Sequence, residues 1–179
     1  DELRDFCILH YPRSHVFPVS YDLSARDFAT GLLPVIRKHL GRIDVLVNNA
    51  GLLIHKPISG FTPDDVDRLL DINFKAPALL IQALLPLMNA GAHIVNIGSM
   101  GGVQGSVKFP GMSVYSATKG ALAILTECLA AELEPSGISV NLLAPGAVDT
   151  EMLQRAFPGY KAPVSPGEMA SFIAYFSKN

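Results

Sequence analysis

Four short apolar runs, each closed by a polar or turn-forming residue, constrain this chain more than any other feature. They are HVFPVSYDLS at 15–24, RIDVLVNNAG at 42–51, AHIVNIGS at 92–99 and GISVNLLAPG at 137–146. Runs rich in β-branched residues, with little polar alternation, suit strands covered on both faces of a parallel sheet. The first run is expected to end at Asp22 and hand over to a helix-capping Ser24. Between the runs lie helical segments. ARDFATGLLPVIRKHLG ends at Gly41, a C-cap residue, and holds Pro34, which should kink or divide it. TPDDVDRLL opens with Thr62 as N-cap, Pro63 at the first helical position and two aspartates in the first turn. Leu122, Leu125, Leu129 and Leu133 form one apolar stripe. Alternating strand and helix predicts an α/β doubly wound fold with a parallel sheet.

In such sheets ligands bind beyond the carboxyl ends of the strands. The exits here are Asp22, Asn48–Gly51, Gly98–Ser99 and Pro145–Gly146. Behind the third exit, Tyr115 and Lys119 stand four residues apart. On a helix that spacing is about 6 Å along one face, so the lysine's charge would favour tyrosinate.

Composition narrows the function classes. The 179 residues, 49% hydrophobic and 17% charged, fit a single globular domain. A net charge of −2 and no Lys/Arg block give nucleic acid no footing. Cys7 and Cys128 match no metal or redox spacing, and the five histidines include no pair at ligand spacing, so no metal is expected. The opening DELRDFCILHYPR is acidic where a secretory signal is basic. The apolar run Ala76–Met88 is about seven residues short of a membrane span and reads as a buried or interface helix. The expectation is a soluble, cytoplasmic protein with no membrane partner.

The motifs resemble those of the short-chain dehydrogenases/reductases. NNAG at 48–51 is similar to the family's motif after its fourth strand, and VNIGS at 95–99 to the fifth-strand motif that ends in the catalytic serine. YSATK at 115–119 resembles YxxxK, and PGAVDT at 145–150 resembles the PGxxxT segment beside the nicotinamide. Asn73 falls on the family's helix asparagine, and Asp22-Leu23 on its adenine contact. The resemblance runs from about His15 to the last helix, VSPGEMASFIAYFS.

The resemblance implies a Rossmann-type doubly wound sheet and an NAD- or NADP-dependent oxidoreductase interconverting a carbonyl and a secondary alcohol. It implies Tyr115 as general acid/base and Lys119 lowering its pKa while holding the nicotinamide ribose. Ser99 would bond the substrate oxygen, and Asn73 would hold a relay water. Asp22, Leu23, Asn49, Ala50, Gly51, Tyr115, Lys119, Pro145, Gly146, Val148 and Thr150 would contact the cofactor. Association into a homodimer or homotetramer through Asn73–Met88 and Tyr115–Glu134 is also implied.

Two departures stand out. The GSVKFPGMS loop between Ser99 and Tyr115 is a few residues longer than the family pattern and should shape substrate access. The TGxxxGxG phosphate loop has no counterpart, and residues 1–24 resemble a helix end followed by the family's third strand. Residues 1–179 are therefore expected to be one partial Rossmann domain lacking the first two strands, the phosphate loop and the short final strand. A catalytically inactive relative serving as a binding or assembly subunit is the alternative raised by that loop. An epimerase or dehydratase would need a long C-terminal substrate region.

Overall fold

The structure is a computed structural model describing residues 5–7, 9 and 15–178. The resemblance of residues 1–14 to a helix end therefore falls largely outside the described residues. Three parallel strands, β1 (Ile43–Asn48), β2 (Met88–Ile97) and β3 (Ser139–Leu143), form a sheet in the order β1-β2-β3. Asn48 pairs with Asn96, and Ile97 with Leu143, so the three carboxyl ends finish along one edge. Helices α1 (Leu33–His39), α2 (Pro63–Leu70), α3 (Ala76–Leu84), α4 (Ser113–Leu133), α5 (Glu151–Ala156) and α6 (Pro166–Phe176) connect and flank these strands. Ile81, Leu84, Ile94, Leu133 and Val140 belong to the core between sheet and helices. Each such side chain, fully buried, contributes about 1.5–3 kcal/mol.

Three of the four expected strands are present among the described residues. Residues 15–22 are not a strand: no described strand lies beside them, and an extended segment without a ladder partner is not a sheet element. The cap that follows is also two residues earlier than expected. Asp22, not Ser24, caps a short 3₁₀ turn at Leu23–Ala25 by accepting the Ser24 N–H at 2.9 Å. Coverage on both faces holds for β2, whose Ile94 and Val95 are fully buried, but not for β1, where Val45 and Val47 are exposed. β2 has strands on both sides, whereas β1 is an edge among the described residues.

Pro34 divides its helix as expected: a π-turn at Phe28–Leu32 ends where α1 begins, with Pro34 in the first turn. Gly41 is not the cap, because α1 closes at Leu40 in an extended conformation. Thr62 caps α2 in a reciprocal capping box with Asp65. The helical stretch Pro63–Leu87 is longer than the apolar run suggested. By length and composition alone it could cross a membrane. Its midpoint, however, is a π-turn at Asp71–Lys75 whose Asn73 is 1% exposed and bonded to other elements.

Candidate active site

Small residues bring the strand exits onto α4. A Cβ on Gly102 would lie 2.7 Å from the Lys119 carbonyl carbon and 2.8 Å from the Gly120 nitrogen. The loop after β2 can therefore rest on the helix backbone only with glycine there. Ser99, at the β2 exit, accepts the Gly101 N–H at 3.2 Å and lies close enough to Tyr115 to pull its hydroxyl's pKa down. The Lys119 ammonium donates to the Ile97 carbonyl at 2.8 Å and lies 6.0 Å from the Tyr115 ring centre.

Both ionisable groups are buried, and burial governs both. It pushes the Tyr115 hydroxyl above its ordinary value of 10.0, with Ser99 opposing the shift. It lowers Lys119 from 10.5 to about 8. Desolvation disfavours whichever form is charged. In the free chain, then, burial outweighs the lysine's pull toward tyrosinate.

Asn73 acts as a clamp. Its amide oxygen accepts the Leu52 N–H at 2.8 Å, and its amide nitrogen donates to the Leu52 carbonyl at 2.8 Å and to Thr118 Oγ1 at 3.0 Å. Thr118 in turn donates to the Tyr115 carbonyl at 2.8 Å. Both amide protons are thus committed to protein, and one side chain ties the β1 exit to the Tyr115–Lys119 turn. A second chain crosses the sheet below, from Asn48 to Asn96 at 2.8 Å and from Asn96 to Thr126 at 2.9 Å. Thr118, Asn96 and Thr126 escaped the sequence reading. Thr118 passes for one of the small residues inside YSATK, and the other two show their role only once β2 and α4 are packed together.

Asn49, Gly51, Ser99, Tyr115, Lys119, Pro145, Gly146, Val148 and Thr150 line one cavity of about 450 Å³. Asn73 lies buried beneath it, while Ala50, Asp22 and Leu23 are outside its lining. The Asp22 carboxylate is engaged by the Ser24 N–H and hydroxyl, at 2.9 and 2.8 Å. Glycine keeps the floor of the cavity open. A Cβ on Gly51 would sit 3.5 Å from the Lys119 ammonium and 3.6 Å from the Asn73 amide oxygen, while a Cβ on Gly146 would meet nothing within 4 Å. Glycine at both places leaves that space to a ligand.

A serine, a tyrosine and a lysine are thus gathered at the carboxyl edge of a parallel sheet. The family model for short chain dehydrogenases matches residues 8–161, and the chain belongs to that family of oxidoreductases. An uncharacterized oxidoreductase of Staphylococcus epidermidis is 30% identical over 159 residues, covering 88% of this chain and 68% of the relative. A short-chain dehydrogenase/reductase from Serratia marcescens superposes with a TM-score of 0.86 at 29% identity, over 98% of this chain and 76% of that one. A short chain dehydrogenase from Burkholderia cenocepacia, solved in complex with NADP, gives 0.78 at 30% identity over 89% and 68%.

Proposed function

We propose that the protein interconverts a carbonyl and a secondary alcohol, with NADP or NAD as the hydride carrier. The observation that carries this reading is the meeting of Ser99, Tyr115 and Lys119 on one cavity whose floor is opened by Gly51 and Gly146. The complex of the Burkholderia relative with NADP supports a nicotinamide there.

In the direction of reduction, the bound reduced nicotinamide supplies the hydride that reaches the carbonyl carbon. Negative charge then develops on the substrate oxygen, which needs a proton and hydrogen-bond donors. Tyr115 gives that oxygen its proton, and the raised affinity of its phenol keeps the proton available at neutral pH. Ser99 hydrogen-bonds the same oxygen and, through Tyr115, helps hold the phenolate that remains. Lys119 adds positive charge beside the phenolate and orients the ribose. Asn73 positions the catalytic turn through Thr118 rather than handling the proton with its amide. Thr150, Val148 and Gly146 form the wall along the nicotinamide.

The test is Tyr115→Phe in the full-length protein. It should abolish ketone reduction while NADPH or NADH still binds with unchanged affinity. Turnover equal to that of the unaltered protein would refute the assignment.

A further inference from the structure

The end of the cavity away from the nicotinamide floor carries information on what it accepts. Three loops, at 52–57, 103–112 and 157–160, meet beside it; of their rings Phe157 lines the cavity, while Phe109 and His55 border neighbouring depressions and pack behind it. The Phe157 ring lies 4.8 Å from the His55 ring and 6.3 Å, edge-on, from that of Phe109. His55 Nε2 lies 3.1 Å from the Pro110 carbonyl. A carbonyl can only accept, so that nitrogen carries the proton. The Lys56 N–H donates to the Gly111 carbonyl at 3.2 Å. Gly111 has a φ of +81°, and a Cβ there would come within 2.6 Å of the His55 ring. The long loop after β2 is thus seated on His55 in a way only glycine allows.

The polarity of the cavity is one-sided. Phe157, Met112, Met152 and Leu53 share its lining with Tyr115 and Ser99, and Lys119 is its one charged lining residue. That ammonium is buried and already donates to the Ile97 carbonyl. Arg155 borders a neighbouring depression rather than this cavity and is ion-paired with Glu151 at 2.5 Å. Among the described residues, then, this cavity offers no cation beyond Lys119 to a substrate carboxylate or phosphate, and burying such an anion without a partner is strongly disfavoured.

We propose that the substrate is an uncharged carbonyl compound, or its alcohol, bearing a flat apolar ring beside the reacting carbon. The carbonyl points at Tyr115 and Ser99, and the ring lies against Phe157 and Met112. Aromatic rings favour offset or edge-on contacts at such separations, and thioethers pack well on ring edges. This rests on the dehydrogenase reading above and adds the substrate class to it.

The experiment uses the full-length protein with NADPH and NADH and three probes: 2-acetylnaphthalene, 2-butanone and levulinate, a keto acid. kcat/KM for the naphthyl ketone should exceed that for levulinate by about a hundredfold, the scale set by an unpaired buried charge. Phe157→Ala should cut the preference for the naphthyl ketone over 2-butanone about tenfold. Phe157→Leu, which preserves volume and guards against misfolding, should cut it less. Preference for levulinate, or an unchanged ratio in Phe157→Ala, overturns the proposal.

If no carbonyl is turned over with either nucleotide, the dehydrogenase reading fails and equilibrium binding decides the substrate class. Isothermal titration calorimetry of the naphthyl ketone into the full-length protein measures that binding directly. Saturable binding that Phe157→Ala weakens supports the aromatic subsite. Absence of saturable binding to the unaltered protein overturns it.

Discussion

At Lys119, two demands on one ammonium conflict. The proposed chemistry needs its positive charge beside Tyr115, but the site that places it there also desolvates it and brings its pKa to about 8. The charged form prevails below that value and is lost as pH rises through it. Tyr115, shifted the other way, stays protonated over the same interval. Ketone reduction should therefore hold roughly level near neutrality and decline above about pH 8, with the lysine rather than the tyrosine setting the inflection. Lysine-selective NMR titration of the full protein should find one ammonium titrating near 8 that disappears in Lys119→Met. An inflection that survives that substitution would reassign the titration to another group.

The π-turn at Asp71–Lys75 is the element on which alignment of the site depends. Such turns break the regular helix ladder and often mark functional positions. Here the break sets Asn73 between Leu52 and Thr118, while Asp71 is held by Arg26 at 2.5 Å and Lys75 at 2.8 Å. Arg26 is also the one non-glycine residue with positive φ among the described residues, at 61°. Asn73→Ala removes three hydrogen bonds and leaves the Leu52 backbone groups unpaired in a part-buried place. It should cost on the order of 3 kcal/mol in chemical denaturation. Thr118→Val, losing fewer bonds, should cost less, and the double variant should fall short of the sum. Strict additivity would show that the two side chains do not act as one clamp. At the start of the same helical stretch, Thr62→Ala should cost about 1 kcal/mol through loss of the capping box, with the active site unaffected.

Across the whole molecule, the sheet's order of protection follows its pairing. β2 is hydrogen-bonded on both sides, and Ile94, Val95 and Asn96 are fully buried, so its amides should exchange most slowly. β1, with Val45 and Val47 exposed, should exchange faster, as peptide-resolved hydrogen exchange can establish. The same distinction explains what was legible beforehand. The exits at Asn48–Gly51, Gly98–Ser99 and Pro145–Gly146, the Thr62 cap and the Tyr115–Lys119 spacing are local patterns, and they survive into the fold. Residues 15–22 had an equally good local pattern and failed as a strand, because a strand is a relation between two segments. The Asn73–Leu52–Thr118 clamp and the His55–Phe157 contact were illegible for the same reason: each joins residues far apart in the chain. In the metal reading His55 was only a histidine without a partner at ligand spacing, and its neighbours appear only when three loops meet.

That meeting separates two inheritances. The proton-handling pair travels on one helix, fixed to the sheet by buried amides and hydroxyls. The aromatic wall is assembled from three connections, of which only the one at 103–112 runs into that helix, ahead of its first turn. A lineage can therefore rewrite the residues around Gly111 or Phe157, and with them the range of molecules admitted, while the reaction passes down unaltered.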